Sequence, residues 1–160
     1  MSGYSDRVLT ETYKDKRYEE DLTKLYFEAM RQLHGAHQSP TLEYIKAAYS
    51  KAREFSEALI YSKQHLIKYK DIVRPTLEKL QTILYGDPRS PATVRAASMY
   101  RCRVFKHRGK LEIRNGVMVL NQLSEIVFLV KQYAYQQGLL LPKPMDKKFG
   151  IEAIEDNMRM

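Results

Sequence analysis

The sequence predicts an all-α fold, a helical bundle with a long kinked central helix and an N-terminal helical arm. Three features predict it. The first is a mostly apolar seam: alternating steps of three and four residues from Leu42 to Leu84 visit Ile45, Tyr49, Ala52, Ser56, Leu59, Lys63, Leu66, Lys70, Val73, Leu77 and Leu80, the spacing of one helix face. The second is a pair of Ser-Pro steps, Ser39-Pro40 and Ser90-Pro91, each offering a hydroxyl to cap a helix and a proline suited to its first turn. The third is the run from Val117 to Gln137, apolar on nearly every face, as a helix buried at the centre of a bundle is.

In chain order, Ser5 or Asp6 caps a first helix over residues 5–34. From Arg7 to Asp21 that helix is charge and tyrosine, and an apolar face begins only with Leu22, Leu25, Tyr26, Ala29 and Leu33. Residues 1–37 therefore read as an arm whose first half is either frayed or a helix that needs a partner to cover it. Gly35 ends this helix, and the next runs over 40–84 with a break at Pro75, whose ring removes a donor and clashes with the preceding turn. Gly86 to Ser90 is a loop, followed by helices over 91–114 and 117–137. A β-hairpin across Asn115-Gly116, pairing Lys110–Arg114 with Val117–Leu120, is the competing local reading. Residues 38–138 make up the bundle with its basic face, and 139–160 a C-terminal extension: a Pro-containing link and a short acidic helix. The length of 160 residues makes this one domain overall.

Charge points to function. The net charge is +8, yet residues 86–116 alone carry eight basic side chains against only Asp87 and Glu112. Between Arg89 and Lys110 there is no acid at all. On a helical wheel Arg95, Arg103, Lys106, Lys110 and Arg114 fall within roughly a 100° arc, opposite Val94, Ala97, Tyr100, Val104, Phe105 and Leu111. Such a helix buries one face and turns a basic stripe toward a polyanion. Arg101 and Arg108 land on the apolar side, from which they either reach out by snorkelling or meet a second segment of the anion. A face kept only for solubility interleaves both signs, so the missing acids favour a binding surface. The candidate nucleic-acid-binding residues are these seven with Arg89, joined by Lys14, Lys16 and Arg17 in the arm.

Catalytic raw material is scarce. No Gly-rich phosphate loop, nucleophile elbow, His-Glu-x-x-His or EF-hand pattern occurs, so neither an enzyme nor a cofactor is expected. His34 and His37 sit three apart, but without a nearby Cys or third His they read as an exposed pair rather than a metal site. The single cysteine, Cys102, excludes an internal disulfide and reads as a half-buried filler. Twelve tyrosines, many beside Lys or Arg, are core or bundle-edge residues whose hydroxyls can reach phosphate. A helix-turn-helix formed by Leu22–Leu33 and the helix from Thr41 has too long a second helix to be a compact reader. No secretory signal and no membrane span is expected.

The polar helical arm, compact bundle and basic face resemble the major coat proteins of archaeal filamentous viruses, the lipothrixvirus and rudivirus group. The local echo is AYSKAREFSEALIYSKQHLIKYKDIVRPTLEKLQTIL, residues 48–84. The resemblance implies a coat subunit of a virion, one of two related versions in many cases, whose arms wrap double-stranded A-form DNA without sequence specificity and contact a second copy or a paralogous subunit. The acidic tail from Glu152 to Asp156 has no place in that pattern. Two other readings use the same residues: a cytoplasmic recombination accessory that binds single-stranded DNA as an oligomer, and a helical adaptor that docks its stripe on an acidic protein.

Overall fold

Helix α1 (Tyr18–Gln38) carries the apolar spacing read from the sequence: Leu22, Leu25, Tyr26, Ala29, Leu33 and Ala36 lie along it and all are buried. The computed structural model describes residues 18–62 and 67–139. The expectations for the arm before Tyr18, with Lys14, Lys16 and Arg17, and for the extension after Leu139 lie outside that range.

Gly35 does not end α1. The helix runs on to Gln38, and the Ser39 N–H still donates to the Gly35 carbonyl at 3.1 Å, because Ala36 keeps the last turn docked on the core. The cap of helix α2 (Leu42–Ser62) is accordingly Thr41 rather than Ser39, with the Tyr44 N–H directed at its hydroxyl at 3.4 Å. Helix α3 (Ile67–Tyr85) follows, and it carries Pro75 in its interior instead of breaking there. The proline lies on the exposed side, while Val73, Leu77, Leu80 and Ile83 on either side of it are buried, so packing holds the helix across the missing donor.

Helices α1, α2 and α5 (Val117–Gln136) pack mutually and enclose the core, where the rings of Tyr26 and Phe55 lie 5.6 Å apart. As expected from the run after Gly116, α5 is helical, and it buries Val119, Leu120, Leu123, Ile126, Val127 and Val130. Its burial is nevertheless one-sided, since Val117 and Phe128 are exposed. Helix α3 docks on α2 through its apolar side and through polar ties that include an Arg53 Nη1 hydrogen bond to the Gln81 side-chain carbonyl at 2.8 Å. The Tyr49 hydroxyl donates to the Leu77 carbonyl at 3.0 Å, and Arg74 donates twice to the buried Glu57 carboxylate.

The helix expected over 91–114 is the main correction. Helix α4 (Pro91–Met99) is only nine residues long, and the rest is an antiparallel hairpin of β1 (Arg103–His107) and β2 (Lys110–Arg114). Among the described residues the fold is therefore mainly helical with one small two-stranded sheet, not purely α. Helix α4 is stopped by its C-terminal geometry: Arg101 is left-handed (φ 54°), the Cys102 N–H donates to the Ala97 carbonyl at 3.0 Å, and the Arg101 N–H to Ser98 at 3.1 Å. Beyond it Val104, Leu111 and Ile113 alternate with polar residues, so period two prevails over 3.6. The turn sits at Arg108-Gly109, both at positive φ (52° and 78°), not at Asn115-Gly116, which instead joins β2 to α5.

Candidate nucleic-acid interface

The N-terminus of α4 is built as its sequence implies. Ser90 caps it, its hydroxyl accepting from the Thr93 N–H at 3.2 Å, and Pro91 occupies the first turn. The preceding bend is tight: a Cβ on Gly86 would lie 2.5 Å from the Thr82 carbonyl oxygen and 2.7 Å from the Thr93 hydroxyl. Only glycine lets α3 and α4 close on each other here.

At the hairpin root, Asn115 (φ 61°) donates from its side-chain amide to the Arg101 carbonyl at 2.7 Å, tying the two ends of the ribbon together. Gly116 follows, and a Cβ there would run into the side chains of Ile45 and Ile113. The hairpin is thereby seated directly on α2.

Strand register sorts the side chains. Arg103 pairs with Arg114, Phe105 with Glu112 and His107 with Lys110, and these six share one face. Val104 with Ile113 and Lys106 with Leu111 share the other, on which Val104 is buried. Lys106 thus stands apart from Arg103, Lys110 and Arg114, so the single helical stripe is replaced by cations on both faces of a ribbon. A helical wheel puts Phe105 and Val94 on the apolar side. Phe105 instead lies half-buried among the cations, with the Arg103 and Arg114 guanidinium carbons 5.9 and 5.6 Å from its ring centroid, and Val94 is exposed.

Arg89 in the α3–α4 loop, Arg95 on α4, Arg101 at its end, Arg103 and Lys106 on β1, Arg108 at the tip, and Lys110 and Arg114 on β2 are all exposed. Among the described residues none of the eight forms an ion pair, whereas Lys51 bridges Glu28 and Glu54 and Arg74 bridges Glu57. The hairpin's one acid, Glu112, faces His107 at 3.3 Å.

No protein-family model matches this chain, and no curated protein and no solved structure matches it. The site stands on its own geometry.

Between the loop at Asp87–Arg89, α4 and the hairpin runs a groove of about 910 Å³. Its buried lining residues are Thr93, Ala97, Cys102 and Val104, and burial pushes the Cys102 thiol pKa up, away from thiolate chemistry. The histidines do not converge on a metal: His37 Nε2 lies 3.4 Å from the Ser124 hydroxyl and His34 Nε2 3.3 Å from the Gln38 amide. Partial burial, then the neighbouring His34, lowers the His37 pKa. No group of three or more His, Cys, Asp or Glu among the described residues is placed to hold a metal ion, and no described helix is long and apolar enough to cross a membrane.

Proposed function

We propose that this protein is a non-catalytic nucleic-acid-binding protein that takes the sugar–phosphate backbone against the cations of residues 89–114. The observation that carries the reading is the set of eight exposed cations on α4, the hairpin and their connections, none with an acidic partner among the described residues. Arg103 and Arg114 are direct cross-strand neighbours, an arrangement of like charges that destabilises a ribbon until an anion lies between them. Arg101 and Arg108 occupy left-handed positions that the backbone would more readily give to Gly or Asn. Charge is kept at both sites against local conformational preference, as expected where the charge is used. A two-stranded ribbon also has the dimensions to enter the major groove of a duplex.

The coat-subunit role is the assembly form of this reading: copies of the chain, or a paralogous partner, joined through the N-terminal arm and wrapping DNA in a virion. Negative-stain microscopy with and without DNA tests that form. The binding reading itself is tested by fluorescence anisotropy across a salt series, on wild type and on Arg103→Gln/Lys110→Gln/Arg114→Gln. Each phosphate that is no longer neutralised lowers the slope of log affinity against log salt by about 0.9 for a duplex. A triple variant with native circular dichroism and unchanged affinity and slope overturns the reading.

A further inference from the structure

We propose that the groove between α4 and the β1–β2 hairpin holds an unstacked base of single-stranded nucleic acid, so that the protein prefers single strands to duplex. The proposal rests on the nucleic-acid reading above and not on the coat role. A duplex turns its phosphates outward and keeps its bases stacked inside. Phosphate pressed onto Ala97, Cys102 and Val104 would lose its water for no better donor than a thiol, and of the two hydroxyls in the lining Thr93 is already engaged with Ser90, which leaves Ser98. Flat apolar faces suit that lining, and Val94 and Leu111 extend it. Val94 on α4 lines the groove with 49% of its surface exposed, an apolar side chain only half covered by the protein.

The rim has the opposite character. Arg89, Arg103 and Lys106 line the groove, and none has an acidic partner among the described residues. Among the described residues the sole acid lining it is Asp87, whose carboxylate accepts from the Arg89 N–H at 3.0 Å and is held in its own turn. An apolar lining with a cationic rim matches a ligand with an aromatic body and an anion on each side, which is a nucleotide within a single strand. The volume of about 910 Å³ is near the top of the range for small-molecule sites, enough for base and sugar together. Phe105, flanked by the Arg103 and Arg114 guanidinium groups, supplies a layered platform beside the groove for the next base.

The test compares a fluorescein-labelled oligothymidine with an oligothymidine–oligoadenine duplex of equal length at one salt concentration. The single strand is expected to bind at least tenfold tighter. Val94→Asn, exposed and neutral, is expected to weaken single-strand binding at least fivefold while leaving duplex affinity and both salt slopes unchanged. In a Cys102→Ala background, Ser98→Cys places an exposed thiol on the groove, and saturating oligothymidine is expected to slow its maleimide labelling. Equal or tighter duplex binding, a silent Val94→Asn, or a thiol labelled at the same rate with and without the oligonucleotide overturns the groove assignment and leaves backbone binding standing. If neither nucleic acid binds, the broader reading falls with it.

Discussion

Arg74 closes on Glu57 through two hydrogen bonds, Nε to Oε2 at 3.0 Å and Nη2 to Oε1 at 2.5 Å, joining α3 to α2 one residue before Pro75. The carboxylate side chain is almost wholly buried, so removing the arginine strands a charge in the core. Arg74→Ala is expected to destabilise the protein by about 3–5 kcal/mol, and Glu57→Leu with Arg74→Met by much less, because the pair's desolvation is then relieved. Urea midpoints of the two variants check this, and equal losses would contradict it.

Arg103→Glu converts a like-charge cross-strand pair into an opposite-charge one. The expected outcome is a gain in stability of about 0.2–1 kcal/mol together with weaker oligonucleotide binding. A melt and an anisotropy titration on one preparation read both. Stability and binding moving in the same direction would speak against an anion site here.

Arg108→Asn places at the hairpin tip a residue that enters the left-handed region readily. Relief of the strain at φ 52° is expected to raise stability by about 1 kcal/mol, with a smaller salt slope from the missing cation. Arg108→Lys, which keeps the charge, should restore the slope without the stability gain.

The two Ser-Pro steps are not equivalent. Ser90→Ala removes an observed cap and is expected to cost about 1 kcal/mol. Ser39→Ala, outside the capping position taken by Thr41, is expected to change stability by less than about 0.5 kcal/mol. Chemical denaturation of both single variants separates them.

Tyr49 carries a pH dependence. Burial, partly offset by Arg53, raises its phenol pKa from 10.0 to about 12. The folded state therefore holds the proton more tightly than the unfolded chain, and the stability this contributes is full below the unfolded value and lost as pH climbs from 10.0 toward about 12. Tyr49→Phe should flatten that decline, at the expense of the hydrogen bond to the Leu77 carbonyl.

What the sequence discloses and what it hides have separate physical causes. Leu22 through Leu33, the seam on α2 and α3, the cap at Ser90 and the helix after Gly116 are legible because local spacing and tertiary burial agree there. The hairpin is illegible because its turn begins with Arg108 rather than the Asn or Asp that announces such turns, which makes Gly109 look like a blemish in a helix. Arg101 hides the end of α4 in the same way, standing at a position usually given to glycine. The eight cations are legible by their charge alone, but their sorting onto two faces, the place of Phe105 among them and the groove beside α4 depend on strand register, which one-dimensional periodicity cannot supply.

The root of the hairpin gives the molecule a mechanical property. The Asn115 amide holds the Arg101 carbonyl, and Gly116 leaves no room for a Cβ beside the Ile45 side chain, so the root of the ribbon is fastened on both sides. On the proposed binding mode, tension from a strand held at Arg103 and Arg114 would pass into α2 and the helices packed on it. Little flexing has to be frozen out when a ligand arrives, so more of the interaction energy goes into affinity. A strand dragged along this surface by a polymerase or a translocating motor would meet steady drag from an unyielding arm, and the weak point under load would be the grip on the nucleic acid rather than the protein.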